Sequence, residues 1–182
     1  MIFREVEDRD LIAKAKRGDV EAFNRLISRW ERRVFNYLLK LTGHREDALD
    51  LTQEAFLKAW QNLNKLDDPE RFSPWLFRIA HNEAYSLLRK SRPAEELTLE
   101  PVAGDQTRRL FPAESSLAVR RALELLSPEQ REAVVLKVYE GFKFEEMAQI
   151  LDCPVSTVKS RLYTGLDLLK DALAPVGREM RN

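Results

Sequence analysis

The stretch Phe142-Lys143-Phe144-Glu145-Glu146-Met147-Ala148, leading to Asp152-Cys153-Pro154-Val155-Ser156-Thr157-Val158-Lys159-Ser160-Arg161-Leu162, decides the fold. It reads as two short helices around a tight turn, a helix-turn-helix whose second helix can enter a DNA major groove. At 100° per residue, Val158, Leu162, Gly165, Leu166 and Leu169 share the inward face of that helix. Opposite them lie Ser156, Ser160, Tyr163 and Thr164, with Thr157 nearby and Lys159 and Arg161 flanking. Hydroxyls and one aromatic suit base edges and thymine methyls, and the cations suit phosphate or guanine. Asp167 and Asp171 repel phosphate, so the reading end is the N-terminal half. A plain amphipathic helix is the alternative. Cys153, beside Pro154 in the turn, reads as a small packed residue rather than a reactive thiol.

Working outward, Ser127-Pro128-Glu129-Gln130 is a capping box that opens a helix ended by Gly141. Helical pattern upstream of it covers about 116–126. Between Pro93 and Pro112 the pattern fails: three prolines, a glycine and an acidic excess mark a linker. A solvated tether explains that segment as well as a specific role does.

Helical periodicity also rules the N-terminal half. A first helix is expected over about 8–17, ending at Gly18. Asp19 then caps a long helix with apolar residues at Phe23, Leu26, Ile27, Trp30, Val34, Leu38 and Leu41, closed by Thr42-Gly43-His44. A third helix is expected from Arg45 to Leu63, and a loop at 64–72. Ser73-Pro74 reads as an N-cap with proline at the first position of a helix reaching Lys90. The predicted fold is all-α: two small helical domains, 1–92 and 114–182, joined by a flexible linker at 93–113, with the helix-turn-helix in the second.

Two faces stand out in the first domain. On the third helix, Ala48, Leu51, Ala55, Phe56, Ala59 and Leu63 form the inward stripe. Asp50, Gln53, Glu54, Leu57 and Gln61 lie on the far side. A leucine ringed by carboxylates and amides suits protein docking, although single exposed leucines are common. On the fourth helix Leu76, Ile79, Ala80 and Leu87 point inward. Arg78, Asn82, Tyr85 and Arg89 cluster opposite them with His81 nearby, a mixture suited to a nucleic-acid strand. The loop Lys65-Leu66-Asp67-Asp68-Pro69-Glu70-Arg71-Phe72 can cradle an unstacked base, while Trp75 and Phe77 read as core. A charged surface with no ligand is the alternative.

Composition limits the function. The 182 residues carry 30 Lys and Arg against 30 Asp and Glu. By segment the balance is +3 over 1–92, −2 over 93–113 and −1 over 114–182. Duplex affinity comes largely from phosphate neutralisation, so this chain should grip DNA weakly unaided and take its affinity from a larger partner. No apolar run is long enough for a membrane span, and the charged start Arg4-Glu5-Val6-Glu7-Asp8 is not a signal peptide. One cysteine fits a reducing compartment. An enzyme is disfavoured: His44 and His81 are the only histidines, no metal-ligand spacing occurs, and no glycine-rich phosphate loop is visible. No cofactor is expected.

Taken in order, Asp50-Leu51-Thr52-Gln53-Glu54-Ala55-Phe56, Phe72-Ser73-Pro74-Trp75-Leu76-Phe77-Arg78-Ile79-Ala80 and the 152–162 stretch resemble the bacterial extracytoplasmic-function sigma factors. The resemblance implies a non-enzymatic subunit that binds core RNA polymerase and directs it to promoter DNA. It implies docking of the Asp50, Gln53, Glu54, Leu57 and Gln61 face on the clamp of the largest polymerase subunit. Lys65, Arg71, Phe72, Arg78, Asn82, Tyr85 and Arg89 would recognise and melt the −10 element. Ser156, Thr157, Lys159, Ser160, Arg161, Tyr163 and Thr164 would read the −35 element. It further implies cytoplasmic action at the nucleoid, without direct membrane insertion, and control by an anti-sigma factor that can hold the protein at the inner membrane. The linker corresponds to a segment threaded near the RNA exit path.

Three departures from the family pattern stand out. Lys143 replaces a capping Ser or Thr, Pro74 replaces a common Thr, and Thr164-Gly165-Leu166 replaces a basic triplet. The last departure predicts a weaker or different upstream preference. A conventional helix-turn-helix regulator, dimerising or sensing a ligand through its N-terminal helices, is the competing reading. Such a regulator would shift duplex operator DNA alone.

Overall fold

The computed structural model describes the backbone of residues 7–90 and 113–179, with side chains over 7–90 and 117–174. Eight helices and no strand occur among the described residues, and the expected linker falls outside them except for Ala113. Two compact units divide the chain, Met1–Thr98 and Leu99–Asn182.

In the first unit α1 (Asp8–Ala15) is followed by a turn in which Gly18 takes φ 91°. The helix is shorter than its apolar pattern suggests, because the Gly18 turn must re-aim the chain before Asp19. Asp19 Oδ1 then accepts from the Ala22 N–H at 3.1 Å and caps α2 (Val20–Thr42), a contact that contributes about 1 kcal/mol. Gly43, left-handed at φ 75°, ends α2 with its N–H on the Leu39 carbonyl. Helix α2 is central and packs against α1, α3 and α4. Phe23, Leu26, Val34, Leu38 and Leu41 are buried as their spacing requires, whereas Ile27 and Trp30 stay partly exposed. Asn36, Tyr37 and Leu39 are buried as well, because three neighbours enclose the C-terminal half of the helix.

Helix α3 (Arg45–Asn62) buries the expected stripe and passes into a 3₁₀ turn, Leu63–Lys65. The next segment departs from expectation. Ser73 is not an N-cap, since α4 (Phe72–Lys90) grows directly out of a second 3₁₀ turn, Pro69–Arg71. Asp68 does the capping, its Oδ1 taking the Glu70 N–H at 3.0 Å, and Pro69 takes the starting position. Pro74 is thus the third residue of α4, still within the first turn, where a missing N–H costs little. Phe77 is buried as expected, Trp75 is half-buried, and Ile79 and Leu87 are only partly covered.

The second unit contains α5 (Ala113–Glu124), α6 (Pro128–Val134), α7 (Phe144–Leu151) and α8 (Val155–Glu179). The capping box forms as read: the Gln130 N–H reaches Ser127 Oγ at 3.2 Å and the Ser127 N–H reaches Gln130 Oε1 at 3.1 Å. Helix α6 widens into a π turn at Val135–Tyr139 before Gly141, at φ 74°, reverses the chain. The buried guanidinium of Arg131 donates to the carbonyls of Leu123 (2.9 Å), Glu124 (3.2 Å) and Leu126 (3.4 Å). One side chain thereby satisfies carbonyls at and just beyond the end of α5 and fixes the α5–α6 corner. Replacing it removes charge-assisted bonds and leaves buried acceptors unsatisfied. Arg131→Met should lower stability by about 3 kcal/mol, read from urea denaturation of the full chain. A loss under about 1 kcal/mol would mean that water recaps those carbonyls.

Candidate nucleic-acid and partner interfaces

On α3 the spacing of Asp50, Glu54, Leu57 and Gln61 aligns them along one stripe, with Gln53 beside it. All five are exposed, and Leu57 retains 50 % of its surface. The stripe borders an open apolar groove of about 430 Å³ between α2 and α3, whose lining includes Phe23, Ile27, Phe56, Leu57 and Trp60. Leu57 is therefore continuous with an apolar groove rather than isolated on the surface. Lys58 lies 2.6 Å from Glu83 on α4 and 3.8 Å from Glu54. The hydrogen bond to Glu83 raises the Lys58 ammonium above its ordinary pKa, partly opposed by burial and aided by both carboxylates.

A second surface runs along α4 and the turn before it. Arg78, Asn82 and Arg89 are exposed, and Tyr85 is half-buried with its ring 4.5 Å from that of His81. Lys65 and Arg71 are exposed in the preceding turns, Lys65 donating to Asn62 Oδ1 at 2.8 Å. Phe72 is different. Only 2 % of it is accessible, and it packs edge-on to Trp30 (6.0 Å between centroids) and beside Trp75 (5.9 Å). Its expected place among strand-contacting residues is corrected here: the first turn of α4 must seal the core under the loop, so Phe72 supports that loop from below.

The third surface belongs to α8. Val158, Leu162 and Gly165 are buried, Leu166 and Leu169 partly so, and Ser156, Lys159, Ser160, Tyr163 and Thr164 are exposed. Thr157 and Arg161 are half-buried, Arg161 Nη1 lying 3.8 Å from Cys153 Sγ. A Cβ on Gly165 would come within 3.1 Å of Val134 Cγ2, so the small residue permits close approach of α6 and α8. Asp152 takes the left-handed conformation at φ 50°, a role its short polar side chain tolerates, and this sets the turn between α7 and α8. Lys143 supplies no side-chain cap to α7, because an ammonium cannot accept a hydrogen bond. Its N–H nonetheless bonds Glu146 Oε2 at 2.7 Å, so half of the capping arrangement survives. Lys137 and Lys159 both lie over the Phe144 ring, at 4.7 and 5.2 Å. Sequence periodicity missed Lys137 because it sits on the π turn, outside the 3.6-residue register.

Both units resemble known proteins. Sigma-70 region 2 matches residues 26–93 and Sigma-70 region 4 matches residues 116–169. The RNA polymerase sigma-H factor of Pseudomonas aeruginosa is 30% identical, with 95% of this chain and 97% of that protein aligned. The ECF RNA polymerase sigma-E factor of Escherichia coli K12 is also 30% identical, over 96% and 98%. Among solved structures, CnrH in complex with the cytosolic domain of CnrY aligns at a TM-score of 0.70 and 28% identity, covering 92% of this chain and 97% of that one. The sigma factor RpoE of Bartonella quintana, in complex with the anti-sigma factor NepR, aligns at 0.70 and 26%, covering 84% and 96%. The chain belongs to the extracytoplasmic-function group of the sigma-70 family.

Burial pushes the Cys153 thiol above its usual pKa, with the Arg161 guanidinium opposing the rise. A raised pKa keeps the group protonated through neutrality, and only the thiolate reacts. Iodoacetamide should therefore label Cys153 more slowly at neutral pH than it labels a free cysteine, and the gap should close in alkaline solution. Equal neutral rates would contradict the assigned environment.

Proposed function

We propose that this sigma factor divides promoter-specific initiation among its three exposed surfaces. Asp50, Gln53, Glu54, Leu57 and Gln61 dock on the clamp of the largest subunit of core RNA polymerase. Lys65, Arg71, Arg78, Asn82, Tyr85 and Arg89 capture and open the −10 element, with Phe72 holding the loop from inside. Ser156, Thr157, Lys159, Ser160, Arg161, Tyr163 and Thr164 read the −35 element. On this reading residues 1–92 dock and melt, residues 114–182 read upstream DNA, and residues 93–113 connect them. The observation that carries the reading is the α3 stripe. Carboxylates, amides and one leucine lie side by side at the mouth of an apolar groove, a mixture that suits a protein partner better than a phosphate backbone.

The charge balance supports the same division. A chain with equal numbers of acidic and basic groups gains little from counterion release, so polymerase must supply most of the non-specific affinity. The protein contributes selective binding energy rather than a covalent step. Both solved relatives described above are complexes, one with an anti-sigma factor and one with a cytosolic domain of CnrY. That supports control of this chain by an anti-sigma factor covering one or more of these surfaces. No helix among the described residues is long and apolar enough to cross a membrane. The proposed site of action is the bacterial cytoplasm, at the nucleoid when active and at the inner membrane when an anchored regulator holds it.

Glu54→Lys should weaken binding to core polymerase about tenfold or more while leaving the helical circular dichroism unchanged. Wild-type affinity would remove α3 from the docking surface. Tyr85→Ala should depress run-off transcription on closed duplex promoters about tenfold and on pre-melted promoters much less. Equal losses on the two templates would exclude Tyr85 from opening.

A further inference from the structure

Helix α1 precedes the residues matched by Sigma-70 region 2, which begin at residue 26. It nevertheless touches the turn segment that leads into α4. The Lys16 ammonium donates to the Leu66 carbonyl, 50 residues along the chain. At the other end of α1, Asp8 Oδ2 accepts from the indole Nε1 of Trp30 at 2.8 Å, and Asp8 Oδ1 pairs with Arg29 at 2.7 Å. The Trp30 ring, set by Asp8, in turn packs edge-on to Phe72, which closes the turn segment. The segment 63–72 is thus gripped near both of its ends.

The chemistry of the grip is specific. A 3₁₀ turn leaves carbonyls without helical partners, and Leu66, in extended conformation just after such a turn, offers one to Lys16. Of the segment's own residues, Leu63, Leu66 and Phe72 are buried, while Asn64, Lys65, Asp67, Asp68, Glu70 and Arg71 are exposed. Leu66 and Phe72 bracket a short arc of outward polar side chains, Leu66 being held by Lys16 at the end of α1 and Phe72 by way of Trp30 and Asp8.

We propose that Lys16 and Asp8 are positioning residues for promoter opening: α1 braces the 63–72 segment in the shape that receives the displaced −10 strand. This rests on the assignment of that segment and of α4 to the −10 element. Neither residue touches DNA. The brace acts by limiting the conformations of the segment before the strand arrives, so that less ordering is needed on binding.

The test uses full-length protein with core polymerase on one promoter in two forms, closed duplex and pre-opened across the −10 element. Lys16→Met keeps the aliphatic stem and removes the donor, while Lys16→Arg keeps a donor and a charge. Initiation by Lys16→Met on the duplex should fall about five- to tenfold, and on the pre-opened template less than about twofold. Lys16→Arg should recover most of the duplex activity. The urea midpoint and core-polymerase affinity of Lys16→Met should match wild type, which separates positioning from general stability. Tyr85→Ala serves as the reference for the −10 assignment. If Tyr85→Ala shows the duplex-selective loss and Lys16→Met does not, the brace is wrong and the assignment stands. If Lys16→Met loses equally on both templates, its role is structural only. If Tyr85→Ala itself shows no selective loss, the assignment fails and the brace falls with it.

Discussion

The enclosure of α2 governs the N-terminal unit. Its C-terminal half, from Val34 to Thr42, is buried on almost every side, with Tyr37 fully covered and its ring 5.1 Å from that of Phe77 on α4. Burying a large apolar side chain contributes roughly 1.5–3 kcal/mol, so this short segment and its neighbours supply much of the unit's cohesion. Since α2 is the shared core of three helices, α1, α3 and α4 each need commit only one stripe to it. The outward faces of α3 and α4 are left free of packing duty, and those faces carry the proposed docking and strand-binding groups.

The same constraint couples the two faces. Lys58 on α3 lies 2.6 Å from Glu83 on α4 and 3.8 Å from Glu54 on the proposed docking stripe. Lys58 remains partly open to solvent, which screens such pairs, so the arrangement is better understood as alignment of two helices than as a source of cohesion. The aromatic cluster of Trp30, Phe72 and Trp75 beneath the turn segment plays the matching role on the proposed strand-binding side. A rigid floor with polar groups above it can capture an unpaired strand without first ordering itself.

In the C-terminal unit precision comes from a few small or buried groups. Gly165 lets α8 approach α6, Arg131 ties α6 to the end of α5, and Asp152 sets the turn into α8. These contacts aim the Ser156, Ser160, Tyr163 and Thr164 face. Leu166 is partly buried on the inward side of α8. Lys159, lying over the Phe144 ring with Lys137 on the same ring, is an exposed cation on the outward side of α8.

Much of the fold was legible in the chain itself. The all-α class, the Asp19 cap, the Ser127–Gln130 box, the turns at Gly43 and Gly141 and the inward stripes of α3 and α8 follow from periodicity and capping chemistry, which act over a few residues. Family motifs in order identified the class of protein for the same reason: they are local strings. Ser73-Pro74 looked like the start because it competes with the equally local Asp68-Pro69, which is the start used. Phe72 looked like a contact because nothing nearby in sequence reveals that Trp30 waits beneath. Tyr37, Arg131, Lys16 and Asp8 were silent because their partners lie between 5 and 50 residues away or on other helices. Local chemistry chose which segments became helices and where each began; only close packing, which brings distant side chains within hydrogen-bonding range, decided which faces were left for partners.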